Sequence, residues 1–177
     1  MGDRLWPIII FIVKLSGFVI DCIVTNNYAA RGAGVTGAVS IRSLSSVFAT
    51  LKELLDTYLA MPQVDKQRIY IMGLSMGAMG TYDMTIRYPE IFAAAIPICG
   101  TVNPTRLSAA KEVKFRIFHG DADSVVPVSG SRQAYKALKA AGADVKYTEF
   151  PGVTHGSWNP AFTLPDFMSW LFSQKKQ

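Results

Sequence analysis

Along the chain, apolar runs of strand length alternate with stretches whose apolar residues recur every three or four positions. Residues 8–13 and 18–25 are rich in Ile, Val and Phe and too short for helices, so both read as buried strands, joined by Lys14-Leu15-Ser16-Gly17. Residues 26–40, rich in Gly, Ala and Asn, read as a loop. Val47, Leu51, Leu54, Leu55, Tyr58 and Leu59 then recur at helical spacing with Lys52, Glu53 and Asp56 on the other face, a helix that ends at Pro62. A strand at 69–72, a helix at 76–87 stopped by Pro89, and a buried strand at 93–99 come next, followed by a loop through Thr105. The last third repeats the pattern: a strand at 113–119, a helix at 129–141 closed by Gly142, a strand at 145–150 and a helix at 164–172.

Strands separated by helices imply βαβ units, hence a three-layer α/β fold in which a mostly parallel sheet carries helices on both faces. In such a sheet the ligand crevice lies at the carboxyl ends of the strands. The link from the first strand to the second is far shorter than the dozen or so residues that a crossover helix needs. The two runs therefore form a hairpin, or the fold is abbreviated there, or the first 45 residues diverge from the rest.

Composition narrows the picture. A chain of 177 residues supports one domain, and 50% hydrophobic with only 18% charged residues argues against disorder. The net charge of +5 is scattered, without the basic patch of a nucleic-acid binder. Cys22 and Cys99 lack metal or redox spacing and read as small buried hydrophobes. Arg4, the apolar run at 8–13 and Tyr28-Ala29-Ala30 loosely resemble a secretory signal that Lys14 and Asp21 interrupt, and no run of about 18 apolar residues exists for a membrane span. The compartment, cytoplasmic or secreted, stays open.

The candidate chemistry begins at Gly73-Leu74-Ser75-Met76-Gly77, between an apolar strand and a helix. Glycines flanking a serine let the backbone bend sharply enough to project the hydroxyl from the top of a sheet. An acid is sought in the segment from His119 to Pro127, where Asp121 and Asp123 compete. One carboxylate suffices to orient an imidazole, and triad geometry favours Asp123, leaving Asp121 to cap a turn. An Asp-x-Asp metal site lacks further ligands nearby. Of two histidines, His119 precedes the acid and is expected to pack and hydrogen-bond in the loop that presents it. His155, after the last strand, completes the order Ser, Asp, His. The backbone N–H of Met76 would be one donor to a developing oxyanion.

The stretch from Leu51 to Gln177 resembles the serine carboxylesterases of the α/β-hydrolase superfamily, particularly small bacterial esterases related to polyhydroxybutyrate depolymerases and feruloyl esterases. The matching segments are VDKQRIYIMGLSMGAMGTYDMTIRYPEIFAAAIPICG, HGDADSVVPV and HGSW. The resemblance implies one α/β-hydrolase domain over 1–177 with a divergent segment at 1–45. It implies Ser75 as nucleophile, Asp123 as acid and His155 as base, acting through an acyl-enzyme on a small ester, with no cofactor, metal, nucleic acid or membrane. Such enzymes carry a His-Gly-x-Gly type segment after an early strand. Here Val13-Lys14-Leu15 stands in that place, which makes Leu15 N–H the candidate second oxyanion donor. Trp158 is expected to wall the acyl or alcohol pocket, with core packing as its alternative. No long lid insertion is evident between Ala93 and Val113, which argues against an interfacially activated lipase, so short acyl, acetyl or feruloyl esters are expected. Two alternatives stand beside this: a non-catalytic binding protein on the hydrolase fold, or a thioesterase, peptidase or lactone hydrolase.

Overall fold

The computed structural model describes the backbone of residues 6–15, 19–25, 35–40 and 44–176, with side chains at Ile9, Ile10 and from Phe48 onward. A seven-stranded sheet in the order β3-β2-β1-β4-β5-β6-β7 organises the chain. Its strands are β1 (Trp6–Leu15), β2 (Val19–Thr25), β3 (Val35–Ser40), β4 (Val64–Leu74), β5 (Ala94–Ile98), β6 (Lys114–Gly120) and β7 (Val145–Phe150). The helices are α1 (Leu44–Leu59), α2 (Met76–Arg87), α3 (Ser129–Ala140), α4 (Trp158–Phe162) and α5 (Phe167–Ser173), with a 3-10 helix at Pro104–Ala110. Strands β1, β4, β5, β6 and β7 are parallel neighbours, whereas β2 is antiparallel to β1 and β3 to β2.

Period-two alternation in the strands divides the core into two. Ile10, Ile69, Ile71, Ala95, Phe115 and Ile117 face one side, where Leu51 and Leu55 of α1, Tyr82 of α2 and Leu138 of α3 cover them. Ile9, Tyr70, Met72, Ile96 and Phe118 face the other, covered by Ala161 of α4 and by Phe167 and Leu171 of α5. These strands are buried on both faces, which is why they read as continuous apolar runs. Arg116 points from β6 toward α5, where it donates to Asp166 and lies over the rings of Phe118 and Trp170.

Of the readings left open for the short first link, the hairpin is present: Val13, Lys14 and Leu15 pair with Asp21, Ile20 and Val19. Several boundaries differ from the sequence reading. Part of the interval read as a loop is β3, for Val35, Thr36 and Val39 suit a strand and Gly37 and Ala38 between them hid the pattern. Strand β4 starts at Val64 rather than 69, because Asp65, Lys66, Gln67 and Arg68 sit where its register with β1 jumps from Trp6–Val64 to Ile8–Ile69. The interval after β5 contains the 3-10 helix, with Leu107 and Ala110 buried. The last helix begins only after Pro165, which restricts Leu164 before it, and α4 was not anticipated. Ser16 and Gly17 of the hairpin link, Phe18, the loop at 26–34, and the signal-like Arg4 and Tyr28-Ala29-Ala30 lie outside the described residues.

Candidate active site

Three parallel strands, β4, β6 and β7, deliver the candidate residues to one end of the sheet. Strand β4 ends at Leu74, and Ser75 follows with φ 55° and ψ −117°, a conformation that side chains other than glycine avoid. Hydrogen bonds hold it there. Its N–H donates to the Ile98 carbonyl of β5 at 2.9 Å, and its carbonyl accepts from Ala78 and Met79 in the first turn of α2. The tightness of the turn dictates Gly73, where a Cβ would lie 2.2 Å from the Gly77 carbonyl oxygen. Met76 opens α2, so its N–H has no acceptor within the helix and sits at the positive end of the helix dipole.

Past β6, the chain turns through Asp123, which is buried. Its Oδ1 accepts from the N–H groups of Val125 and Val126, each at 2.9 Å, which sets the carboxylate in its loop. Burial by itself opposes the charge, but the Val126 N–H, His155 and the Val125 N–H together hold the carboxyl below its ordinary range.

Past β7, His155 arrives on a loop pressed against the acid loop. A Cβ on Gly120 would lie 2.0 Å from the Val153 carbonyl oxygen, and Ala122 N–H donates to that same oxygen at 3.1 Å. Asp121 accepts from Gly152 N–H at 2.6 Å, where Gly152 has φ 69°. The competition between the two aspartates is thereby resolved in space: Asp121 braces the histidine loop and Asp123 meets the histidine.

His155 Nδ1 lies 2.8 Å from Asp123 Oδ2, and its Nε2 lies 2.9 Å from Ser75 Oγ. A carboxylate only accepts, so Nδ1 carries the hydrogen and Nε2 is free to accept from the serine hydroxyl. A chain of this geometry lets an imidazole take the hydroxyl proton while the carboxylate stabilises the resulting charge. The Trp158 ring meets the His155 ring edge-on, with centroids 5.6 Å apart at 84°, and it also packs against the core beneath α5.

Two neighbours join this cluster, of which Cys99 was not foreseen, while His119 hydrogen-bonds in the acid loop as expected. Cys99, just past β5, is buried with φ 47°, and burial pushes its thiol up to about 11. Its sulfur, an Asp123 oxygen and a His155 nitrogen lie within 4.8 Å of one another, the only such cluster of metal-type ligands among the described residues. Asp123 and His155 are already engaged with each other and with Ser75. The second neighbour is His119, buried as expected, but with Nε2 3.2 Å from the same Asp123 oxygen that meets His155. No spacing rule signals that contact, although His119 and Asp123 are four residues apart across the strand end.

Leu15 ends β1 opposite Val19, and Lys14 stays in the ladder rather than turning out of it. Ile12 pairs with Gly73 on β4, which puts Leu15 at the same end of the sheet as Ser75.

Strand order, the strained serine turn and the helices on both faces define an α/β-hydrolase fold. A family profile described as Phospholipase/Carboxylesterase matches residues 38–167, and the chain belongs to that family. It is 41% identical over 51 residues to poly(3-hydroxyalkanoate) depolymerase C of Paucimonas lemoignei, covering 29% of this chain and 12% of that protein. It is 36% identical over 94 residues to an endo-1,4-beta-xylanase/feruloyl esterase of Xylanibacter ruminicola, covering 52% of this chain and 13% of the relative. Among solved structures, a thermostable esterase superposes with a TM-score of 0.67 at 39% identity, over 77% of this chain and 38% of that one. The chain thus spans about an eighth of the length of the curated relatives it matches. Among the described residues no helix is long and apolar enough to cross a membrane.

Proposed function

We propose that the protein is a serine esterase that hydrolyses carboxylic esters through an acyl-enzyme on Ser75. The observation that carries this reading is the continuous chain Ser75 Oγ, His155 Nε2, His155 Nδ1, Asp123 Oδ2, with contacts of 2.9 and 2.8 Å. His155 takes the hydroxyl proton as Ser75 attacks the ester carbonyl, and Asp123 holds the ring in the required tautomer. The imidazolium then gives its proton to the departing alcohol, and a water activated by the same histidine releases the acid. Met76 N–H is one oxyanion donor. We assign the second to Leu15 N–H, since β1 runs beside β4 and ends at the same end of the sheet as Ser75.

Three features support short acyl, acetyl or feruloyl esters. Trp158 lies against His155, and Met76, next to Ser75 in sequence, and Val125, two residues past Asp123, are exposed apolar side chains. The interval between β5 and β6 is spent on a 3-10 helix packed into the core rather than on a cover. Esters of aromatic acids would place their ring against Trp158. The single α/β-hydrolase domain with a divergent 1–45 belongs to the same proposal.

Turnover of p-nitrophenyl butyrate that Ser75→Ala abolishes is the expected result, and equal rates for the two proteins would sink the assignment. One observation favours a second reading, a binding protein on this fold: the end of β1 continues into a ladder instead of opening into a loop of free N–H groups. A fluorophosphonate separates the two, because an activated Ser75 labels rapidly and an inert one does not. A panel of esters, thioesters, amides and lactones ranks the other hydrolases of this fold.

A further inference from the structure

His119 takes no part in the mechanism above, yet it is buried at the end of β6 with every polar atom engaged. Its Nε2 lies 3.2 Å from Asp123 Oδ2 and 3.0 Å from the Val126 carbonyl oxygen. Both of those only accept, so Nε2 carries a hydrogen whatever the state of the other nitrogen. Nδ1 lies 2.7 Å from Ser131 Oγ on α3, and that hydroxyl reaches the Gly100 carbonyl at 3.1 Å. The ring is clamped from one side by α3 and aims a donor at the oxygen that also holds His155.

Asp123 therefore meets four donors: the N–H groups of Val125 and Val126 on Oδ1, and His155 and His119 on Oδ2. The last torsion of an aspartate is broad and roughly two-fold, and with Oδ1 held by the two backbone N–H groups, His155 alone would hold Oδ2. A second donor on Oδ2 narrows that torsion.

We propose that His119 is a positioning residue for the esterase: its Nε2–H fixes the plane of the Asp123 carboxylate so that Oδ2 stays aimed at His155 Nδ1. The inference rests on the reading of Ser75, His155 and Asp123 as the catalytic triad. By the same contact His119 draws on part of the carboxylate's charge, leaving less of it to stabilise the imidazolium on His155. Besides Asp123 and His155, the titratable groups on this side are Glu149, the register partner of His119 on β7, and Tyr82 of α2, which lies by the Ser131 that clamps the ring.

The test compares His119→Phe, which fills the site without a donor, with His119→Gln, whose amide restores one, using p-nitrophenyl butyrate turnover across pH and thermal melts. Ser75→Ala serves as the control. His119→Phe is expected to lower kcat on the order of 10- to 100-fold with little change in KM, the scale of a small misplacement of a reacting group. The acid limb of its kcat/KM profile moves to higher pH, and His119→Gln regains most of kcat. Should His119→Phe not fold, Ser131→Ala, which unclamps the ring from α3, is expected to cost kcat several-fold at constant KM, a loss on the scale of a weakened positioning contact. The proposal is overturned if folded His119→Phe, or Ser131→Ala in its place, keeps wild-type kcat and an unshifted acid limb. It is overturned equally if Phe and Gln lose activity alike and only in step with melting temperature. Turnover that survives Ser75→Ala defeats the triad reading itself, an outcome independent of either His119 variant.

Discussion

Strands β4 and β1 lie side by side and end at the same edge of the sheet, but they leave it in opposite ways. From β4 the chain passes through the strained Ser75 into α2, and the first turn of a helix presents N–H groups that nothing within the helix accepts. From β1 it doubles back into β2, and a ladder engages alternate N–H groups in pairing. The contrast teaches where an anion can be held. A strand followed by a helix offers several donors to one point, whereas a strand followed by a hairpin offers at most those that face away from its partner.

The largest effect is expected at the hydrogen-bonded chain that Ser75 joins at the end of β4. Asp123→Asn should lower kcat by roughly four orders of magnitude, since an amide no longer enforces the tautomer that leaves Nε2 free, and steady-state kinetics of the folded variant would show it. On the hairpin side, Leu15→Pro removes the N–H assigned to the oxyanion, with an expected loss in kcat of about 100-fold at constant KM. An unchanged kcat there would move the second donor elsewhere and make the β4 side self-sufficient. Between β6 and β7, Gly120→Ala pushes a Cβ into the Val153 carbonyl that carries the His155 loop, at an expected cost of about 1–3 kcal/mol in chemical denaturation and slower fluorophosphonate labelling.

Acid provides a finer test. The Asp123 carboxyl is held below its ordinary value of 3.8, so its contribution to stability is complete above that pH and fades as pH falls further. Glu149, held by Arg132 and Tyr147, is lowered from 4.5 to about 2, so its share is complete above pH 4.5 and gone below about 2. The Arg132 pair is exposed to solvent and screened, which makes Glu149→Gln the smallest expected effect. Its melting temperature should fall barely below wild type at pH 7, and the two should converge as pH approaches 2.

Much of the catalytic half was legible because its signals are local. A buried parallel strand must be an apolar run, a strand-to-helix turn at a serine needs Gly73, and a helix needs its 3.6-residue stripe. The segments 76–87 and 145–150 matched α2 and β7 at both ends. The misses share a cause as well. Strand β3 has a weak pattern of its own and exists through pairing with β2, and the polar start of β4 follows a register jump against β1. Both depend on a neighbour far along the chain.

By itself the sequence determined the fold class, the family and the order Ser75, Asp123, His155, because turn chemistry and periodicity act between residues close in the chain, whereas the short first link excluded a crossover helix without choosing the hairpin. Only the tertiary structure decided which partners those residues meet. It separated Asp121, on Gly152, from Asp123, on His155, and it brought His119 to the same carboxylate oxygen. Such contacts arise where the ends of β6 and β7 converge. At hydrogen-bonding range a shift of an ångström decides between partner and bystander, and no spacing along one chain encodes the distance between two loops.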